Sequence, residues 1–169
     1  MTASSPVERV RQWIDAADRV VALTGADYET ARRWIGNPLV SIAALGLIAA
    51  LAQRYSTPPP ESRTALAENY APAMRELWRA NPTDADIGCL CAEAIMDLHP
   101  WDLWHKDGSP KQDAEEVVAT LEAVLRLNPV HPGGNHLYIH AVEASARPER
   151  AVAAADRLRT LVPASGHLV

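Results

Sequence analysis

Val124-Leu125-Arg126-Leu127-Asn128-Pro129 decides how this chain is read, because its form recurs on either side. Leu77-Trp78-Arg79-Ala80-Asn81-Pro82 precedes it and Leu158-Arg159-Thr160-Leu161-Val162-Pro163 follows it. Each reads as the end of an amphipathic helix, closed by a proline that cannot continue it. Pro129 and Pro163 lie 34 residues apart, the length of a repeated helix hairpin. Pro82 and Pro129 lie 47 apart, 13 residues too many for the same unit.

The excess falls at His99-Pro100-Trp101-Asp102-Leu103-Trp104-His105-Lys106-Asp107-Gly108-Ser109-Pro110. Ahead of it, Ile87, Leu90, Ala94, Ile95 and Leu98 form a helical stripe over residues 84–98; behind it, Val117, Val118, Leu121, Val124 and Leu125 form another over 113–127. The first hairpin is therefore expected to be a 34-residue unit with an insertion at 99–112 in its inner turn. Insertions in helical arrays lie on one face, and that face is often the binding one. A second hairpin is expected over residues 132–161, with Arg147-Pro148-Glu149 turning into its second helix. There Ala151, Ala154, Ala155 and Leu158 supply small packing residues. A further unit should begin near His167, so the array is expected to continue beyond Val169.

Upstream, Val7, Val10, Ile14, Ala17 and Val21 share a helical stripe, and Asp27 can cap a short helix reaching Trp34 and Ile35. Residues 39–55 are apolar nearly all round and predict a central helix. Pro58-Pro59-Pro60 ends it, and helix-favouring residues return over 61–80, with a kink expected near Pro72. The expected organisation is an N-terminal helical segment over 1–57 and helical repeats over 61–169.

Composition agrees with helices. About 30 of the 169 residues are alanine, the best helix former, and there is no Phe. A sandwich of β-branched strands is thereby disfavoured. A net charge of -5 leaves no basic footprint for nucleic acid. The apolar run 39–52 is shorter than the roughly 20 residues that span a bilayer. Cys89 and Cys91 stand too close for a useful loop-closing disulfide, and the start does not read as a signal peptide. A soluble, cytoplasmic protein with no membrane or nucleic-acid partner is the expectation.

Two stretches carry a resemblance. Asp97-Leu98-His99-Pro100-Trp101-Asp102-Leu103-Trp104 is one. Asn128-Pro129-Val130-His131-Pro132-Gly133-Gly134-Asn135-His136-Leu137-Tyr138-Ile139-His140-Ala141-Val142-Glu143-Ala144-Ser145 is the other. Together they resemble a family of large bacterial tetratricopeptide-repeat proteins, in which similar His-rich segments recur on successive repeats. The resemblance covers about residues 39–169 and is strongest from Cys91 onward. It implies an all-α array of antiparallel tetratricopeptide-like hairpins, an alpha-alpha superhelix, and says more about fold than about activity. Two departures stand out. Family members continue past Gly166-His167-Leu168-Val169 into another His-containing helix, and the first 35 or so residues here do not match what lies upstream in the family.

His136, His140 and Glu143 stand at i, i+4 and i+7, which places them on one helix face. Imidazoles at that spacing can chelate a divalent metal such as zinc or copper, with Glu143, His131 or His99 completing the set. The alternative is a polar face that hydrogen-bonds between helices. The second candidate is the insertion, where Trp101, Trp104, His105 and Asp102 concentrate aromatic and titratable groups as partner-binding residues. Here the alternative is that both tryptophans bury against the flanking helices. Cys89 and Cys91 point to different faces of a helix and read as packing residues, and Asp84, Asp86, Glu93 and Asp97 as a solvated helix face. No catalytic residue is assigned: there is no Ser/His/Asp order, phosphate loop or nucleophile elbow. The expected function is an interaction module that holds a protein or peptide on a concave helical face. The other reading is a metal-binding protein or metalloenzyme built on the His/Glu cluster.

Overall fold

The computed structural model describes residues 42–162, and among them every regular element is helical. Six α-helices follow in order: α1 (Ile42–Leu51), α2 (Thr64–Ala80), α3 (Ala85–Met96), α4 (Ala114–Leu127), α5 (Pro132–Val142) and α6 (Val152–Leu161). A 3-10 turn, Pro148–Ala151, leads into α6. The three proline-closed segments end as the sequence predicts, with helices stopping at Ala80, Leu127 and Leu161. The helices expected over 6–35 and the one expected near His167 lie outside the described residues. None of the described helices is long and apolar enough to cross a membrane.

The chain divides into two compact units, residues 1–77 and 78–169, with the boundary inside α2. In the first, Tyr70, Ala71, Met74 and Leu77 form the buried stripe of α2. A side chain at Gly46 of α1 would overlap Leu77, so glycine lets α1 lie close to that stripe. The Arg54 guanidinium stands over the Tyr70 ring at 5.0 Å. Pro72 lies on the exposed side of α2, where its missing N–H removes one backbone bond without ending the helix.

The second unit packs its helices in chain order, α3 on α4, α4 on α5 and α5 on α6, with α3 also touching α5. Val117, Val118, Leu121 and Val124 are the buried stripe of α4, as its sequence spacing predicts. Val124 is the residue around which three helices close. A Cβ on Gly88 of α3 would come within 2.7 Å of one of its methyls, and a Cβ on Gly134 of α5 within 2.9 Å of the other. Glycine at both positions lets one valine fill the seam from two sides. α3 is buried on most of its circumference, which is why Cys89 and Cys91 are both buried although they point differently. Burial, reinforced by Glu93 and Asp86, pushes the Cys89 thiol up to about 12, so it stays protonated and behaves as a small apolar group.

Candidate functional site

α5 is positioned at both ends. His131 is its N-cap: Gly134 N–H donates to His131 Nδ1 at 2.9 Å, and Pro132 occupies the first turn. The other ring nitrogen, Nε2, meets Asp86 of α3 at 2.9 Å. Asn135, fully buried, donates from Nδ2 to the carbonyls of Pro129 and His131 at 3.0 and 2.9 Å, and accepts from Arg157 Nε of α6 at 2.9 Å. Farther along, Glu122 of α4 accepts from Tyr138 of α5 at 3.0 Å and from Arg150 at 2.6 Å. Burial works against the charge on Glu122. The Arg150 and Tyr138 hydrogen bonds and the nearby guanidinium groups outweigh it and hold the carboxyl below its usual range.

The insertion is fastened to α5 and the segment after it. Trp104 donates its indole N–H to the Ala141 carbonyl at 2.7 Å. Ala146 N–H donates to the Gly108 carbonyl at 3.2 Å. Gly108 has φ +80, and a Cβ there would stand 2.6 Å from the Ala146 nitrogen, so only glycine fits both the backbone and the approach. Within the loop, Lys111 pairs with Asp102, Leu103 is buried, and His99 Nε2 meets Asp113 Oδ2 at 2.9 Å.

Between this loop, α3 and α5 lies a cleft of about 350 Å³. Glu93, Met96 and Asp97 line it from α3 and its end; His99, Pro100, Trp101, Leu103 and Trp104 line it from the insertion. The α5 side brings His136, Leu137, His140, Glu143 and Ala144. His136 and His140 stand with ring centroids 4.8 Å apart, and His140 Nδ1 meets Glu143 Oε1 at 2.9 Å. Trp101 lies across His140 at 5.1 Å with the rings at 89°.

The two candidate groups read from sequence thus meet in one cleft. Of the proposed metal ligands, His99, His136, His140 and Glu143 line it; His131 does not, being occupied at both nitrogens by the helix cap and Asp86. Of the proposed partner residues, Trp101 and Trp104 line it, while Asp102 and His105 do not. Joint burial of the tryptophans is not what the structure has. Trp104 is half-buried and hydrogen-bonded, whereas Trp101 is 84% exposed on left-handed backbone, φ +59. The solvated acidic face expected on α3 holds for the exposure of Asp86 and Asp97, but the four acidic residues also have partners or a cavity to face. Asp84 caps the helix by accepting from the Asp86 and Ile87 N–H groups, Asp86 partners His131, and Glu93 and Asp97 face the cleft. Their i, i+4 spacing was the available signal for a shared face. Among the described residues, no three His, Cys, Asp or Glu side chains stand where they could hold one metal ion.

Comparisons with protein-family models, with curated proteins and with solved structures found no match to this chain.

Proposed function

We propose that the second unit is a tetratricopeptide-like interaction module whose cleft, between the insertion and α5, receives a protein or peptide partner. Helix ends before Pro82, Pro129 and Pro163, with the last two 34 residues apart, and the chain-order packing of α3 to α6 support the repeat reading. The observation that carries the functional reading is Trp101. An indole 84% exposed loses the benefit of burial, and its positive φ costs about 1–3 kcal/mol that folding alone would not select. Such a residue at the mouth of a cleft is what a contact surface uses as an anchor.

Selection of a random displayed-peptide library on the whole chain tests this. Recovered peptides should bind at least about tenfold more weakly to Trp101→Ala, whose melting temperature should be unchanged. Peptides that bind both proteins equally, or no enrichment at all, overturn the reading.

A divalent metal held by the imidazoles of His136 and His140 alone is the second reading, drawn from the 4.8 Å separation of their rings. Glu143 is then the hydrogen-bond partner of His140, with no third protein ligand among the described residues. Calorimetric titration with zinc and with copper decides it. Binding that survives His136→Ala with His140→Ala, or no binding, removes it.

A further inference from the structure

Three carboxyl side chains, Glu93, Asp97 and Glu143, line the cleft, and no lysine or arginine does. Two indoles accompany them. Trp104 is held in one orientation by its hydrogen bond to Ala141, and Trp101 stands exposed on the solvent side, edge-to-face with His140. The rest of the lining includes Met96, Leu103 and Leu137, so acidic groups, aromatic faces and an apolar wall share one cavity.

Each class of occupant can be weighed against that lining. An anionic group meets three carboxyl groups and no lysine or arginine; the imidazoles that share the lining are His99, His136 and His140, the last already hydrogen-bonded to Glu143. A hydrocarbon side chain fills the volume, yet removes water from those carboxyls without replacing its hydrogen bonds. A lysine supplies charge as a compact, strongly hydrated point. An arginine supplies more of what the cavity asks for. Its guanidinium plane stacks on indole, its N–H fork reaches carboxylates in pairs, and its methylene stem lies along apolar wall. The chain's net charge of -5 also favours the approach of a basic segment over an acidic one.

Resting on the reading of the cleft as a partner site, we propose that its occupant is an arginine side chain presented by a peptide segment of the partner. Trp101 and Trp104 supply the stacking faces, and Glu93, Asp97 and Glu143 the acceptors.

The test uses the whole chain and three capped pentapeptides, in which alanines flank a central arginine, lysine or citrulline. Citrulline keeps the planar shape and loses the charge. Tryptophan fluorescence titration should show the arginine peptide binding about tenfold tighter than the citrulline peptide, with lysine between them. Glu93→Gln combined with Glu143→Gln should erase that preference, and Trp101→Ala should weaken the arginine and citrulline peptides alike. Equal affinity for arginine and citrulline, or no binding of the arginine peptide at millimolar concentration, overturns the proposal. The broader reading fails separately. If the library yields peptides that depend on Trp101 but carry no basic residue, arginine recognition is wrong and partner binding stands; if it yields none, both fall.

Discussion

His131 and His140 belong to one short helix, yet the polar groups around them do different work. At the start of α5, His131, Asp86, Gly134 and Asn135 use one another up: both ring nitrogens have partners, and so do both ends of the Asn135 amide. No buried side-chain nitrogen or oxygen among the described residues is left without a partner. Toward the end of the same helix, His136, His140 and Glu143 line an open cleft with an exposed tryptophan across it. The contrast teaches that residue type does not assign a role. A histidine whose nitrogens are both engaged by backbone and a carboxylate is a structural post, whereas His136 and His140 form part of a cavity wall.

The largest effect is expected at Asn135. Asn135→Ala leaves the Pro129 carbonyl and the Arg157 guanidinium without this partner inside the packed start of α5. Losing several buried hydrogen bonds at once should cost about 3 kcal/mol, read as a lower midpoint in urea denaturation. A loss under about 0.5 kcal/mol, the level of an ordinary surface change, would mean that this region is not the support it is taken to be.

The next effect is at His131. His131→Ala removes a helix cap and the Asp86 contact together and should cost about 1–2 kcal/mol. His131→Asn restores an N-cap acceptor and should recover roughly half of that loss. Peptide binding at the cleft should be the same in both variants once protein is folded. A His131 variant that changes cleft affinity while keeping the melting temperature would erase the division between the two ends of α5.

Much of this was legible in the sequence. The ends of α2, α4 and α6 follow from the three proline-closed segments, and the α4 stripe from its spacing. That His99, Trp101, His136 and Glu143 share one region follows from placing the insertion beside a helix with polar residues on one face. The remainder depends on contacts between parts distant in sequence. His131 meets a carboxylate 45 residues earlier, and nothing local to either residue announces it. Gly88 looks like a weak point in a helix until Val124 is seen to fill the space its missing Cβ leaves. The different fates of Trp101 and Trp104, only three positions apart, are set by how the loop docks through Gly108 onto Ala146 and by one residue's φ. Periodicity carries no information on either.

Trp101 allows a test in which stability and binding move in opposite directions. Trp101→Gly relieves a left-handed backbone position that glycine adopts freely, at the expense of a more flexible unfolded chain. The net expectation is a gain of about 0.5–1 kcal/mol, together with lost peptide binding. A side chain that only held the loop in place would give the reverse: lower stability and no effect on any ligand.

The smallest effect expected lies at Glu122, the support that joins α4, α5 and the turn before α6. Its carboxyl is held below the usual range in the folded chain, so the folded state binds that proton less readily than the unfolded one. The stability this provides is complete above the ordinary carboxylate pKa and is lost as pH falls through the lowered value. Glu122→Gln should therefore lower the melting temperature modestly at neutral pH, where that stability is present in full, and flatten the acid side of the profile so that variant and parent converge as pH falls. Tyr138→Phe removes one of the two hydrogen bonds to the same carboxylate and should flatten the profile partway. If Glu122→Gln leaves the acid limb as steep as in the parent, the carboxylate is not among the groups that couple folding to protons. The support of α5 would then rest on the cap and the Asn135 bonds alone.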